Sequence, residues 1–173
     1  MGGQSVNRVR IEELSAEGFL PFGTFAGHLD PNTARLGEPP VEFFRDMLQL
    51  NLGAGQSIAS LSTCRVEPRE RVISISEYHT STGEVILPLD GDILIHVGPA
   101  TAPQASVPVD EIQVFRVPQG TAVSLRPGIW HWAPFPVNHS PANVLIVLPE
   151  RTYANDCVVV LHGEEQKIEI VGG

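Results

Sequence analysis

The chain has 173 residues, a length that one hydrophobic core serves, with apolar residues at 42% and charged residues at 18%. Its 16 Gly and 15 Pro residues are scattered between short Val/Ile/Leu runs, which excludes a helical bundle. Eleven basic against twenty acidic side chains leave a net charge of −9, so neither a nucleic acid nor an anionic membrane surface is an expected partner.

The opening MGGQSVNRVRIEEL lacks the apolar core of a secretory signal, and no run approaches the ~18 apolar residues of a membrane span. The expectation is a cytoplasmic protein. Cys64 and Cys157 stand far apart and in no CxxC arrangement, so both are read as reduced thiols.

In chain order, residues 1–58 are expected as an irregular segment packing on a barrel formed by residues 59–173, the whole being one domain. Ser15 to Phe19 predicts one capped helical turn, residues 21–40 carry loop chemistry, and Phe43 to Leu48 fits helix or strand. From Ala59 onward, β-branched runs recur at 57–66, 71–79, 84–89, 92–97, 112–117, 121–125, 143–149 and 157–162. Turn residues separate them, which predicts an antiparallel sandwich or barrel. Asp90-Gly91 predicts a hairpin between 84–89 and 92–97, and Pro127-Gly128 marks a second tight turn.

Chemistry concentrates in two places. Within RVISISEYH, Ile73, Ile75, Glu77 and His79 share one parity, so a strand would turn a carboxylate and an imidazole toward the core. A buried carboxylate without a partner costs several kcal/mol, and a cation offsets that cost. Glu84 follows five residues after His79, then Gly91; Gly120 precedes Pro127-Gly128-Ile129-Trp130-His131, where a turn delivers a second imidazole. Two imidazoles and two carboxylates, Glu77, His79, Glu84 and His131, suit a divalent first-row metal, Ni, Mn, Zn or Fe. His28, His96, His139 and His162 have no carboxylates at matching spacing and are read as ordinary histidines.

These spacings resemble the two motifs of the cupin superfamily, with Glu77 at the first histidine position and Pro127 displaced by one. The fold implied is an all-β, double-stranded β-helix or jelly-roll barrel. Within that superfamily, residues 60–160 resemble the ureidoglycolate lyase family, through Arg65, Glu77-x-His79, Leu87-Pro88, Gly91 and Trp130-His131. The chain departs from that family at Trp132, where a second histidine is usual, and at Glu84, where members have Gln, which places it in a divergent branch.

The resemblance implies elimination of urea from ureidoglycolate to give glyoxylate, a step of allantoin breakdown, by a metal-dependent homodimer acting on a small polar acid. Glu84 and Tyr78 are then candidates for proton transfer, and Arg65, Arg126 and Trp132 for substrate binding. An ion pair between Arg65 and Glu67 or Glu70 is the alternative role for that arginine, and Trp130 is expected as a core anchor of its turn. Two other functions fit the same barrel: a metal-dependent isomerase or epimerase of a sugar or sugar acid, and a non-catalytic small-molecule-binding protein.

Overall fold

The computed structural model describes residues 7–28, 33–102, 105–172. Among these residues fifteen strands run in chain order: β1 (Asn7–Glu13), β2 (Gly23–Gly27), β3 (Arg35–Glu38), β4 (Val41–Phe44), β5 (Ala59–Val66), β6 (Val72–Ile73), β7 (Ile75–Tyr78), β8 (Glu84–Pro88), β9 (Ile93–Val97), β10 (Gln113–Val117), β11 (Thr121–Leu125), β12 (Phe135–Pro136), β13 (Ala142–Pro149), β14 (Val158–Leu161) and β15 (Ile168–Val171). The α-helices are single turns, α1 (Ala16–Phe19) and α2 (Thr152–Asn155). Among the described residues, no helix is long and apolar enough to cross a membrane.

Two sheets carry the fold, a six-stranded one in the order β12-β9-β10-β1-β15-β6 and a five-stranded one in the order β2-β11-β8-β13-β5. The principal core lies between them, with Ile93, Ile95, Val97, Phe115 and Val117 from the first sheet facing Val66, Ile86, Val123, Leu125 and Val144 from the second. Alternate residues of the first sheet, Leu94, Val114, Ile168 and Ile170, face a second core with Ile73, Tyr78 and Trp130. Strand β9 is therefore buried on both faces, which is why it is apolar at every position but His96 instead of alternating.

The strands expected from residue 59 onward all form. The N-terminal segment is more regular than its sequence predicts: β1 pairs in parallel with both β10 and β15, and β2 extends the second sheet against β11. Gly23 permits that last pairing, because a Cβ there would come within 1.9 Å of the Ser124 carbonyl oxygen. The capped turn forms, with the Ser15 hydroxyl accepting from the Gly18 amide. Of Phe43 to Leu48, the first two residues end β4 and the rest join no regular element.

The Asp90-Gly91 turn does not close a hairpin. β8 lies in the five-stranded sheet and β9 in the six-stranded one, so this turn carries the chain between layers. Asp90 braces the crossing by accepting from the Asn143 amide at 2.7 Å. A break at Ser74 separates β6 from β7, so Ile73 shares the second core with Tyr78 instead of a face with Glu77.

Candidate metal centre

Isolated bridges pair Glu77 with His131 and Gly98 with Trp130, so the second motif runs beside β7 and the end of β9. The turn before it depends on Gly128, whose φ of +82° is open to glycine and whose amide donates to the His79 carbonyl at 2.7 Å. Gly83 has the same importance for Glu84: a Cβ there would meet the Leu125 carbonyl oxygen at 2.4 Å. These close approaches bring β7, β8 and the 128–131 turn to one point.

At that point Glu77, His79, Glu84 and His131 each present a ligand-type atom, all within 4.8 Å of one another. Glu84 Oε2 lies 3.1 Å from His79 Nε2 and 3.0 Å from His131 Nε2. The other ring nitrogens are committed to carbonyls, His79 Nδ1 donating to Asp156 at 2.7 Å and His131 Nδ1 to Ile129 at 2.8 Å. Those bonds hold the proton on Nδ1 of each neutral ring and aim the Nε2 lone pair into the cluster, the arrangement that a metal-binding histidine needs. The donor set thus fits a divalent first-row ion: two imidazole nitrogens and two carboxylates, converging in a buried place.

Electrostatics match. Burial alone raises the Glu84 carboxyl, but the charge and hydrogen bond of His131 and the hydrogen bond of His79 outweigh it and take it down to about 2. Burial lowers His131, while Glu84 more than compensates and carries it up to about 9. Without a metal, the Glu84 carboxylate is held against the His131 Nε2 proton, and a divalent ion would take the place of that proton.

The cluster forms one end of a cavity of about 190 Å³, smaller than the about 300–1,000 Å³ that drug-sized ligands occupy. Ile86, Ile146, Leu148, Ala133 and Pro134 wall it, with Trp132, Tyr153 and the thiols of Cys64 and Cys157. Trp132 thus lies where a substrate-binding residue would. Trp130 does not: it is buried in the second core, donates to Thr101 Oγ1 at 3.0 Å and packs edge-on against Tyr78 with ring centroids 4.5 Å apart.

Three other sequence candidates are placed away from the cavity. Tyr78 alternates with Glu77 and His79 and so faces the second core, not the cavity. Arg65 alternates with the inward-facing Cys64 and Val66, and its guanidinium pairs with Glu67 at 3.0 Å on the surface. Arg126 donates to the Leu20 carbonyl and lines a separate cleft with Gln49 and Ser124. Conversely, Asp156, Cys157 and Tyr153, which arrive from α2 and the residues after it, stand at no motif spacing from the other site residues. Asp156 accepts from the Thr80 and Ser81 amides at 2.7 and 2.9 Å, and from both hydroxyls, fastening the turn that follows His79.

The ureidoglycolate lyase family profile matches residues 6–169. A ureidoglycolate lyase of Rhodobacter capsulatus is 27% identical over 144 residues, 82% of this chain and 86% of that protein. Among solved structures, a dTDP sugar isomerase of Desulfovibrio desulfuricans superposes with a TM-score of 0.51 at 12% identity, over 83% of this chain and 87% of that one. An oxalate decarboxylase of Bacillus subtilis, studied for its Mn(II) centres, gives 0.42 at 16% identity over 60% of this chain, which spans only 23% of that protein. The chain has the cupin fold and belongs to the ureidoglycolate lyase family.

Proposed function

We propose that this protein is a metal-dependent lyase that eliminates urea from ureidoglycolate to give glyoxylate. The observation that carries the reading is the Glu77, His79, Glu84 and His131 cluster at the end of a small cavity, in a chain of this family. A divalent ion held there supplies Lewis acidity to the substrate's hydroxyl group.

The residues supply the rest. His79 and His131 are fixed by their Nδ1 bonds to Asp156 and Ile129, so the site is preorganised before substrate arrives. Glu84 has two carboxylate oxygens, so that with one turned to the ion the other would accept the hydroxyl proton and hand it to the departing nitrogen. The O–H and C–N bonds break, the carbonyl and a new N–H bond form, and no oxidant is needed. Trp132 and Tyr153, which line the cavity, would wall the bound substrate. A cytoplasmic homodimer completes the reading.

The test is glyoxylate and urea release from ureidoglycolate by protein loaded in turn with Mn, Ni, Zn and Fe. Activity with at least one metal, lost in His79→Ala and in His131→Ala, is the expected result. Full activity in either variant, or none with any metal, overturns it.

A further inference from the structure

Glu77 stands where the cupin pattern has a histidine, and its carboxylate has a partner that an imidazole would not need. The Cys157 thiol donates to Glu77 Oε2 at 3.0 Å, across 80 residues of chain. The other oxygen, Oε1, faces the cluster, 3.8 Å from His131 Nε2. The thiol proton is thus committed to that carboxylate, and Cys157 stands beside the cluster as a donor.

Cys157 also follows directly on Asp156, whose carbonyl orients His79 and whose carboxylate fastens the 80–81 turn. One short stretch after α2 thus touches two of the ligand-type residues, His79 through a backbone oxygen and Glu77 through a side chain.

We infer that Cys157 is a positioning residue for the metal centre, occupying Glu77 Oε2 so that Glu77 serves as a ligand through Oε1 alone and a coordination position stays open for a chelating hydroxy acid. This rests on the metal-dependent reading above. A carboxylate freed of its thiol partner can offer both oxygens to the ion, and the second would compete with the hydroxyl or carboxylate of the ligand.

The test uses the full chain loaded with Co(II), whose visible absorption reports coordination, and glycolate as the probe ligand. Cys157→Ala is expected to alter the cobalt spectrum and weaken glycolate binding at least tenfold, with Co(II) affinity kept or raised. Cys157→Ser, which retains a donor, is expected to restore both to within about threefold of the parent. An unchanged spectrum and unchanged glycolate binding in Cys157→Ala overturn the positioning role while leaving the lyase reading intact. Failure of the parent protein to take up Co(II) overturns both. In metal-free Cys64→Ala protein, the S–H stretch of Cys157 should move when Glu77→Gln is added; a stationary band also overturns the proposal.

Discussion

His79 Nδ1 lies 2.7 Å from the backbone carbonyl oxygen of Asp156, a residue 77 positions further along the chain. The contact sets the tautomer of His79, and the Asp156 side chain keeps it in place. Against the cost of burial, hydrogen bonds from Ser81 and Thr80 hold the Asp156 carboxyl well below the usual range, so it stays ionised and tightly bonded. Asp156→Ala releases the 80–81 turn and lets His79 swing. Metal affinity should fall by about 10–100-fold, as outer-shell losses do elsewhere. Competition with a chromogenic chelator measures it; affinity within twofold of the parent would show that the backbone alone holds the ring.

The buried cluster makes the metal-free protein sensitive to pH in two windows. His131 is raised from its ordinary 6.5 to about 9, so the stability it contributes is whole below 6.5 and is lost as pH rises through about 9. Glu84 is lowered from 4.5 to about 2, so its contribution is present above 4.5 and is lost as pH falls through about 2. Metal-free protein should therefore melt at its highest temperature between these limits and at a lower one by pH 9. Metal uptake runs the other way, since an ion must displace the His131 proton. Affinity should rise by about tenfold per pH unit between 6.5 and 9. Calorimetry with and without metal across pH 5 to 9 tests both trends, and a pH-independent affinity would contradict the pairing.

Arg65 and Arg126 separate a surface role from a substrate role. The Arg65–Glu67 pair is exposed on both sides, and such pairs contribute about 0–1 kcal/mol. Arg126 is tied to the Leu20 carbonyl in a different cleft. Replacing either by Ala should leave KM for ureidoglycolate within about twofold, whereas Trp132→Ala, in the cavity wall, should raise it several-fold. A tenfold rise in KM on Arg65→Ala would return that residue to the site.

What could be read from the sequence divides along physical lines. The runs that became β5, β7 to β11, β13 and β14 were legible because each is rich in β-branched residues and bounded by turn formers. β1 was not, because both its partners, β10 and β15, lie in parallel and at least 100 residues away, and no local pattern records such a pairing. Asp90-Gly91 announced a turn but could not say that the turn changes sheets. The cluster of Glu77, His79, Glu84 and His131 was visible because motif spacing encodes it. Asp156 and Cys157 were not, since they reach the cluster from a distant segment with no fixed spacing to it. Tyr78 shows an opposite lesson: period two already placed it on the face away from Glu77 and His79.

Behind the metal centre, Ser76 joins two histidines that the sequence left without a role. Its hydroxyl lies 3.0 Å from His96 Nε2 and 3.0 Å from His162 Nε2, all three residues being buried. The Gln166 carbonyl accepts from His162 Nδ1, so His162 Nε2 is the acceptor of the Ser76 proton. The hydroxyl oxygen must then accept from His96 Nε2, which leaves His96 Nδ1 as a buried lone pair without a partner among the described residues. Burial pushes His96 down to about 3, in keeping with a neutral ring. Ser76→Ala strands one donor and one acceptor at once, and each buried unpaired group costs about 1–3 kcal/mol. At roughly 2–4 °C per kcal/mol for a chain of this size, the melting temperature should fall by about 4–24 °C. Metal affinity should stay within about threefold of the parent, because the cluster's own hydrogen bonds are untouched. An unchanged melting temperature would mean that water replaces the hydroxyl at no cost, and a large loss of metal affinity would mean that Ser76 supports Glu77 through the backbone of β7.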